Sequence, residues 1–256
     1  MTKKIFLASD LHHEVWGLHG PINVPAGADI IVIAGDLKDM PRALEICGET
    51  ADYTGLPVVF VPGNHEFYRR DYQSMNDLAN GYGHKDVHVL INRSVVIHGL
   101  RFVGSPLWTN FLAFGEAAQA TCMQSAERYV YDFQTIRYKG KSITATVMLG
   151  WHHAARSFLE SELSKSHNGK TIVVTHFPPT YQLCHSMFIG DELSPYFNAN
   201  CDDLIDKYKP DAWFYGHTHA AVEKEIYGVP MYCNMGRYPH ESIKITGFDP
   251  ERLISL

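Results

Sequence analysis

Apolar residues in this chain fall into two patterns that predict different elements. Runs dominated by Ile, Val, Phe and Ala occupy 4–9, 30–34, 57–61, 171–175 and 212–215, with little polar alternation. Such runs suit strands covered on both faces of a layered sheet. Shorter or mixed runs at 87–90, 94–97, 100–103, 222–226, 229–233 and 243–246 predict further strands, with a hairpin turn at His98-Gly99. Helical spacing is found at 42–53, where Ala43, Leu44, Ile46 and Cys47 share a face. Segments 72–79 (ended by Gly81-Tyr82-Gly83), 152–164 and 201–208 predict further helices. The aromatic-rich stretch 108–141 is read as a helical excursion, and 108–165 as a largely helical layer over one face.

This order of elements predicts an α/β chain, one domain over residues 1–256, with parallel βαβ units first and antiparallel strands later. A content of 45% hydrophobic and 20% charged residues is that of an ordinary globular protein. The net charge of −6 gives no bulk attraction to nucleic acid or to an anionic membrane, so any phosphate affinity must be local. The five cysteines are an odd number without a CxxC pair, which suits reduced thiols in the cytoplasm. The apolar stretch after Met1-Thr2-Lys3-Lys4 is too short for a signal peptide, and no run reaches transmembrane length. Histidine stands out, with fifteen copies of the commonest metal-binding side chain.

Five of the apolar runs end in chemistry. Asp10-Leu11-His12, Gly35-Asp36, Gly63-Asn64-His65-Glu66, Thr175-His176 and Gly216-His217-Thr218-His219 each follow one of them. In an open α/β sheet the carboxyl ends of the strands are where ligands bind. A set of Asp, Asn and His donors without thiolate favours Mn, Fe, Zn or Co over copper(I), iron–sulfur clusters or calcium. Seven donors exceed what one tetrahedral ion needs. If the segment 216–219 is extended, His217 and His219 point the same way and both can face the metals.

These motifs, in this order and spread over residues 10–219, resemble the calcineurin-like metallophosphoesterase family. The resemblance implies a four-layer αββα sandwich of two mixed sheets, with a dinuclear site at the strand ends. Carried over position by position, Asp10, His12, Asp36 and His219 would hold one ion. Asp36, Asn64, His176 and His217 would hold the other, with Asp36 bridging. His65 would be the general acid. Two cations roughly 3.5–4 Å apart can clamp phosphate oxygens and lower the pKa of a bridging water towards neutrality, and a proton donor adds about 10²–10⁴-fold. The cofactors expected are two divalent or trivalent ions, manganese first, with iron, zinc or cobalt accepted by the same donors. Asp39 and Glu66 are read as structural rather than ligating, and of the remaining histidines His13 and His185 lie best for an accessory role.

Two departures narrow the reading. Met40-Pro41 replaces the Arg-Gly that often follows this Asp36 motif, which counts against phosphoprotein phosphatases. Asn234-Met235-Gly236-Arg237-Tyr238 stands where related bacterial sequences often read Asn-Pro-Arg-Gly-Tyr, and is read as a loop closing over the site. The function expected is hydrolysis of a phosphomonoester or phosphodiester of a small substrate by a metal-bridging water. A nuclease is the alternative enzyme, weakened by the absence of a basic stripe. A non-catalytic scaffold is the alternative of another class, weakened by the complete donor set. Trp108, Phe111, Phe114, Phe177 and Tyr181 are better read as core than as a cleft rim.

Overall fold

The computed structural model describes residues 2–256. Strand β1 (Lys4–Ala8) leads into the short helix α1 (His13–Trp16), and β2 (Ile30–Ile33) into α2 (Met40–Thr54). Helix α2 buries Ala43, Leu44, Ile46 and Cys47, carries Pro41 in its first turn, and ends at Gly55 in the left-handed conformation. Strand β3 (Val58–Phe60), helix α3 (Tyr72–Asn80) and strand β4 (Val87–Val89) follow. Strands β5 (Arg93–Ile97) and β6 (Leu100–Ser105) form the expected hairpin, whose turn residues His98 and Gly99 have φ of 50° and 83°. Two consecutive left-handed residues match the twist of the flanking strands.

The excursion is only partly helical. Residues 108–115 are irregular, and α4 (Glu116–Tyr129) and α5 (Asp132–Thr135) then precede a small ribbon of β7 (Arg137–Tyr138) and β8 (Lys141–Ser142). Helix α6 (Ala145–Leu163) starts well before residue 152, at a Thr144 cap whose side chain accepts from the Val147 amide. The second half of the chain adds β9 (Thr171–Thr175), α7 (Ser194–Phe197), α8 (Asp202–Tyr208), β10 (Ala212–Tyr215), β11 (Lys224–Ile226) and β12 (Val229–Cys233). Residues 243–246, expected as a strand, are instead helix α9 (Ile243–Thr246). Its β-branched residues carry the strand signal, but the Ser242 side chain caps its start and Gly247 closes it at φ 72°. The two-residue β13 (Ile254–Ser255) is too short to announce itself in the sequence.

One sheet has the order β13-β1-β2-β3-β4, with β1 to β4 mutually parallel and β13 antiparallel at the edge. The other runs β11-β12-β10-β9-β6-β5, parallel from β12 to β6 with an antiparallel strand at each edge. Alternate residues of the strands separate into two cores. Ile5, Leu7, Val32 and Val59 of the first sheet meet Phe102, Ile172, Val174 and Phe214 of the second. Phe6, Ile31, Phe60, Val103, Val173 and Trp213 face outward instead and pack under the helices. Two mixed sheets, apolar on both faces and flanked by helices, make the αββα sandwich and account for the unbroken apolar runs. Among the described residues no helix is long and apolar enough to cross a membrane, and all five cysteines are free.

Candidate metal centre

The donors leave the carboxyl ends of five strands. Asp10 and His12 follow β1, Asp36 follows β2, Asn64 follows β3, His176 follows β9, and His217 and His219 follow β10. At these positions the chain turns abruptly. Asp10, His12, Asp36, His217 and His219 all have positive φ, between 44° and 79°. Left-handed backbone is uncommon for residues with a side chain, costs of order 1–3 kcal/mol, and collects at functional sites. The two histidines of the 216–219 segment therefore converge through two left-handed turns, not through the extended alternation expected of them. Close packing is equally specific: a side chain at Gly35 or Gly63 would collide with the His176 ring.

Three close groups of donors result: His12, Glu14 and His65 form one at the mouth, and the other two gather the expected ligands. Ligand atoms of Asp10, His12 and His219 lie within 4.8 Å of one another, and so do those of Asp36, His176 and His217. Asn64 joins the second, its Oδ1 3.1 Å from His176 Nε2. The orientation of three of the four rings is fixed from behind. His12 Nδ1 lies 3.2 Å from Glu14, His219 Nδ1 2.6 Å from Glu241, and His176 Nδ1 2.8 Å from the Ala34 carbonyl. With Nδ1 so engaged, His12 Nε2 and His219 Nε2 face each other across 2.9 Å. His176 Nε2 likewise faces His217 Nδ1 at 3.2 Å. The Asn64 amide nitrogen donates to Asp132 and Tyr68, each at 3.0 Å, which turns its carbonyl oxygen to the same point. Outer partners of this kind orient ligands in metal sites.

Ring nitrogens this close share either a proton or a cation, and with the carboxylates and the Asn64 carbonyl oxygen beside them the donor set fits two ions. Charge leads to the same place. The lining of the cleft contains Asp36, Asp132 and Glu241 but no Lys or Arg. Burial opposes a charge on His219, yet Asp10 and Glu241 outweigh it and raise the ring to about 10. His176 and His65 are each raised to about 9 against burial, chiefly by Asp36. The imidazoles hold protons because the pocket lacks other positive charge. His217 goes the other way: burial and the neighbouring His176 hold it well below the usual range, and its buried Nε2 has no hydrogen-bond partner.

His65 stands at the mouth, its Nε2 3.8 Å from Asp36 Oδ2. Glu14 lies 2.9 Å from its Nδ1, and the Tyr238 hydroxyl 2.9 Å from its Nε2. Tyr238 arrives on the loop 234–238, which is stitched to the end of β1 by Ser9 N to Asn234 O and Gly236 N to Ser9 O. Tyr238 belongs to the 234–238 loop expected to close over the site, whereas Glu14, Tyr68, Asp132, Tyr196 and Glu241 are site residues that the sequence alone does not single out. Only Glu14, two residues from His12, carries a usable signal.

Glu66 is a brace, not a ligand. Its carboxylate accepts from the amides of Asp36 at 3.0 Å, Leu37 at 2.8 Å and Gly63 at 2.6 Å, tying two ligand loops together. Asp39 stays outside all three donor groups, at the N-terminus of α2. His13 is buried beside the site with burial pushing it down to about 4, and His185 caps a short turn that ends at Phe188. Trp108, Phe111 and Phe177 are fully buried, Phe177 stacking on His217 at 3.8 Å, while Phe114 and Tyr181 meet edge-on nearer the surface.

Comparison with solved structures finds the same fold in phosphopantetheinyl hydrolase from Mycobacterium tuberculosis, at TM-score 0.71 and 20% identity over 93% of this chain and 90% of that one. The protein TT1561 of Thermus thermophilus matches at TM-score 0.52 and 11% identity, over 100% of this chain and 98% of the other. A comparison with curated proteins found no match. The sequence model of the calcineurin-like phosphoesterases matches residues 3–221, and the chain belongs to that family.

Proposed function

We propose that this protein hydrolyses a phosphomonoester or phosphodiester of a small substrate, with residues 1–256 acting as one domain. Asp10, His12, Asp36 and His219 would hold one metal ion, and Asp36, Asn64, His176 and His217 the other. The observation that carries this reading is the set of converging ring nitrogens, backed by carboxylates and a carbonyl that fix the rings of His12, His219 and His176. When bound, the two ions supply charge neutralisation for the phosphoryl oxygens and water of lowered pKa, manganese being the first choice and iron, zinc or cobalt acceptable.

The chain's own groups do the remainder. As a water oxygen bonds to phosphorus and the ester P–O bond breaks, the leaving alkoxide takes the proton from His65 Nε2. Glu14 on Nδ1 holds the ring in place and favours its protonated form. In the free protein the Tyr238 hydroxyl occupies that Nε2, so substrate takes the position of Tyr238 when it binds. The five free thiols support a cytoplasmic setting.

Hydrolysis of 4-nitrophenyl phosphate, bis(4-nitrophenyl) phosphate and glycerol phosphate with Mn²⁺, by wild type and by His65→Ala, tests the reading. Wild type should turn over at least one ester, and His65→Ala should lose about 10²-fold or more on an alkyl ester such as glycerol phosphate, whose alkoxide needs the proton, and much less on the 4-nitrophenyl esters. Phosphopantetheinyl esters join the substrate panel because the mycobacterial protein is named for them.

A further inference from the structure

The cleft does not end at His65. A wider basin of about 660 Å³ adjoins it and shares His65, Tyr68 and Tyr238 with it. The lining of that basin adds Arg69, Arg70 and Tyr131, together with Val15 and the carboxylates of Glu14 and Asp39. The arginine ion pairs of the chain are Arg42–Glu45, Arg156–Asp203 and Arg252–Glu223, so among the described residues Arg69 and Arg70 have none. Two guanidinium groups without a carboxylate partner, Arg69 beside the Tyr131 hydroxyl, thus stand next to a cleft whose own lining has no cationic residue but His.

The backbone beneath them is built rather than loose. Arg69 is held at φ 60°, with its amide donating to the Thr135 carbonyl at 3.1 Å and the Thr135 hydroxyl at 3.2 Å. Arg70 donates to the Phe67 carbonyl at 3.1 Å and accepts from the Arg137 amide at 2.9 Å. Tyr131 is half exposed and meets Tyr68 edge-on at 5.4 Å. Both guanidinium groups therefore start from fixed points one and two residues beyond Tyr68, four and five beyond the proposed proton donor.

We infer that this basin is a leaving-group subsite, and that the leaving alcohol carries a second phosphate, held by Arg69 and Arg70. The inference rests on the phosphoester reading of the metal centre. A proton donor touches the leaving oxygen, so the part of the substrate beyond His65 is the alcohol that departs. Arginine forks match phosphate oxygens bidentately, and Tyr131 offers an apolar wall to the carbon skeleton between the two phosphates.

The test compares fructose 1,6-bisphosphate with fructose 6-phosphate. Whichever ester of the bisphosphate reacts, its leaving alcohol carries a second phosphate. Wild type should prefer the bisphosphate in kcat/KM, and an Arg69→Gln/Arg70→Gln variant should lose about tenfold or more of that preference. The preference is a ratio within one preparation, so partial misfolding does not mimic the result. An unchanged ratio overturns the subsite. If wild type cleaves no ester, chromogenic ones included, the metal-centre reading fails separately. Calorimetric titration of fructose 1,6-bisphosphate into EDTA-treated wild type and double variant then decides the subsite: weaker binding by the variant supports it, and indistinguishable binding overturns it.

Discussion

The Nε2 atoms of His12 and His219 lie 2.9 Å apart, each with its opposite nitrogen bound to a carboxylate, Glu14 or Glu241. Between two imidazoles so fixed, only a proton or a cation relieves the repulsion of the lone pairs. Adding Mn²⁺ should therefore stabilise the fold itself, by about 2.7 kcal/mol at a hundredfold excess over Kd. Scanning calorimetry should show the unfolding midpoint rising by several degrees with Mn²⁺ and falling back with EDTA. A midpoint indifferent to both would contradict the pairing of these rings around an ion.

His217 and His219 are neighbours in sequence but belong to different donor clusters. Each alanine variant should consequently lose a different ion. Metal analysis after Mn²⁺ loading should give about one ion per chain for either single variant and almost none for Asp36→Asn, whose carboxylate serves both. Loss of both ions from one histidine variant would merge the two clusters into one.

Much of this is legible in the sequence, for identifiable reasons. The unbroken apolar runs at 30–33 and 212–215 mark buried strands, because residues there face a second sheet on one side and helices on the other. The donors are legible because each sits directly after such a run. What supports them is not. Asp132 reaches Asn64 across 68 positions and Glu241 reaches His219 across 22, and no spacing rule links such partners. The left-handed turns at Asp10, His12, Asp36, His217 and His219 are equally hidden, since propensity argues against them. Helix α9 escapes a sequence reading because Ile243, Ile245 and Thr246 speak louder than the Ser242 cap.

Glu66 binds backbone amides from the loops after β2 and β3, and no side-chain acceptor of a different shape can replace both oxygens. In Glu66→Gln one oxygen becomes an amide donor that faces other donors. Urea denaturation should show a loss of about 2–3 kcal/mol, with weaker metal binding because Asp36 is no longer held. A variant as stable as wild type would show that the brace is dispensable.

His152 gives a pH dependence away from the metals. It is fully buried on α6 with Nδ1 3.2 Å from the Leu107 carbonyl, and burial followed by the neighbouring His153 lowers it to about 4. Below about pH 6.5 the unfolded chain takes up a proton that the native ring refuses. Its contribution is thus intact above about pH 6.5 and declines as the pH falls towards about 4, by about 3 kcal/mol in all. Stability curves of wild type and His152→Gln should converge across that window, and parallel curves would exclude His152 as the titrating group.

The central claim, two ions bridged by Asp36 for phosphoester hydrolysis, is tested most directly by assaying wild type and Asp36→Asn side by side with Mn²⁺ on chromogenic phosphate esters, with bound metal counted in the same samples. The account predicts about two ions and measurable turnover in wild type, and a loss of both metal and at least about 10³-fold of activity in the variant. Equal rates from the two proteins, or well under one ion per chain in wild type, would contradict it.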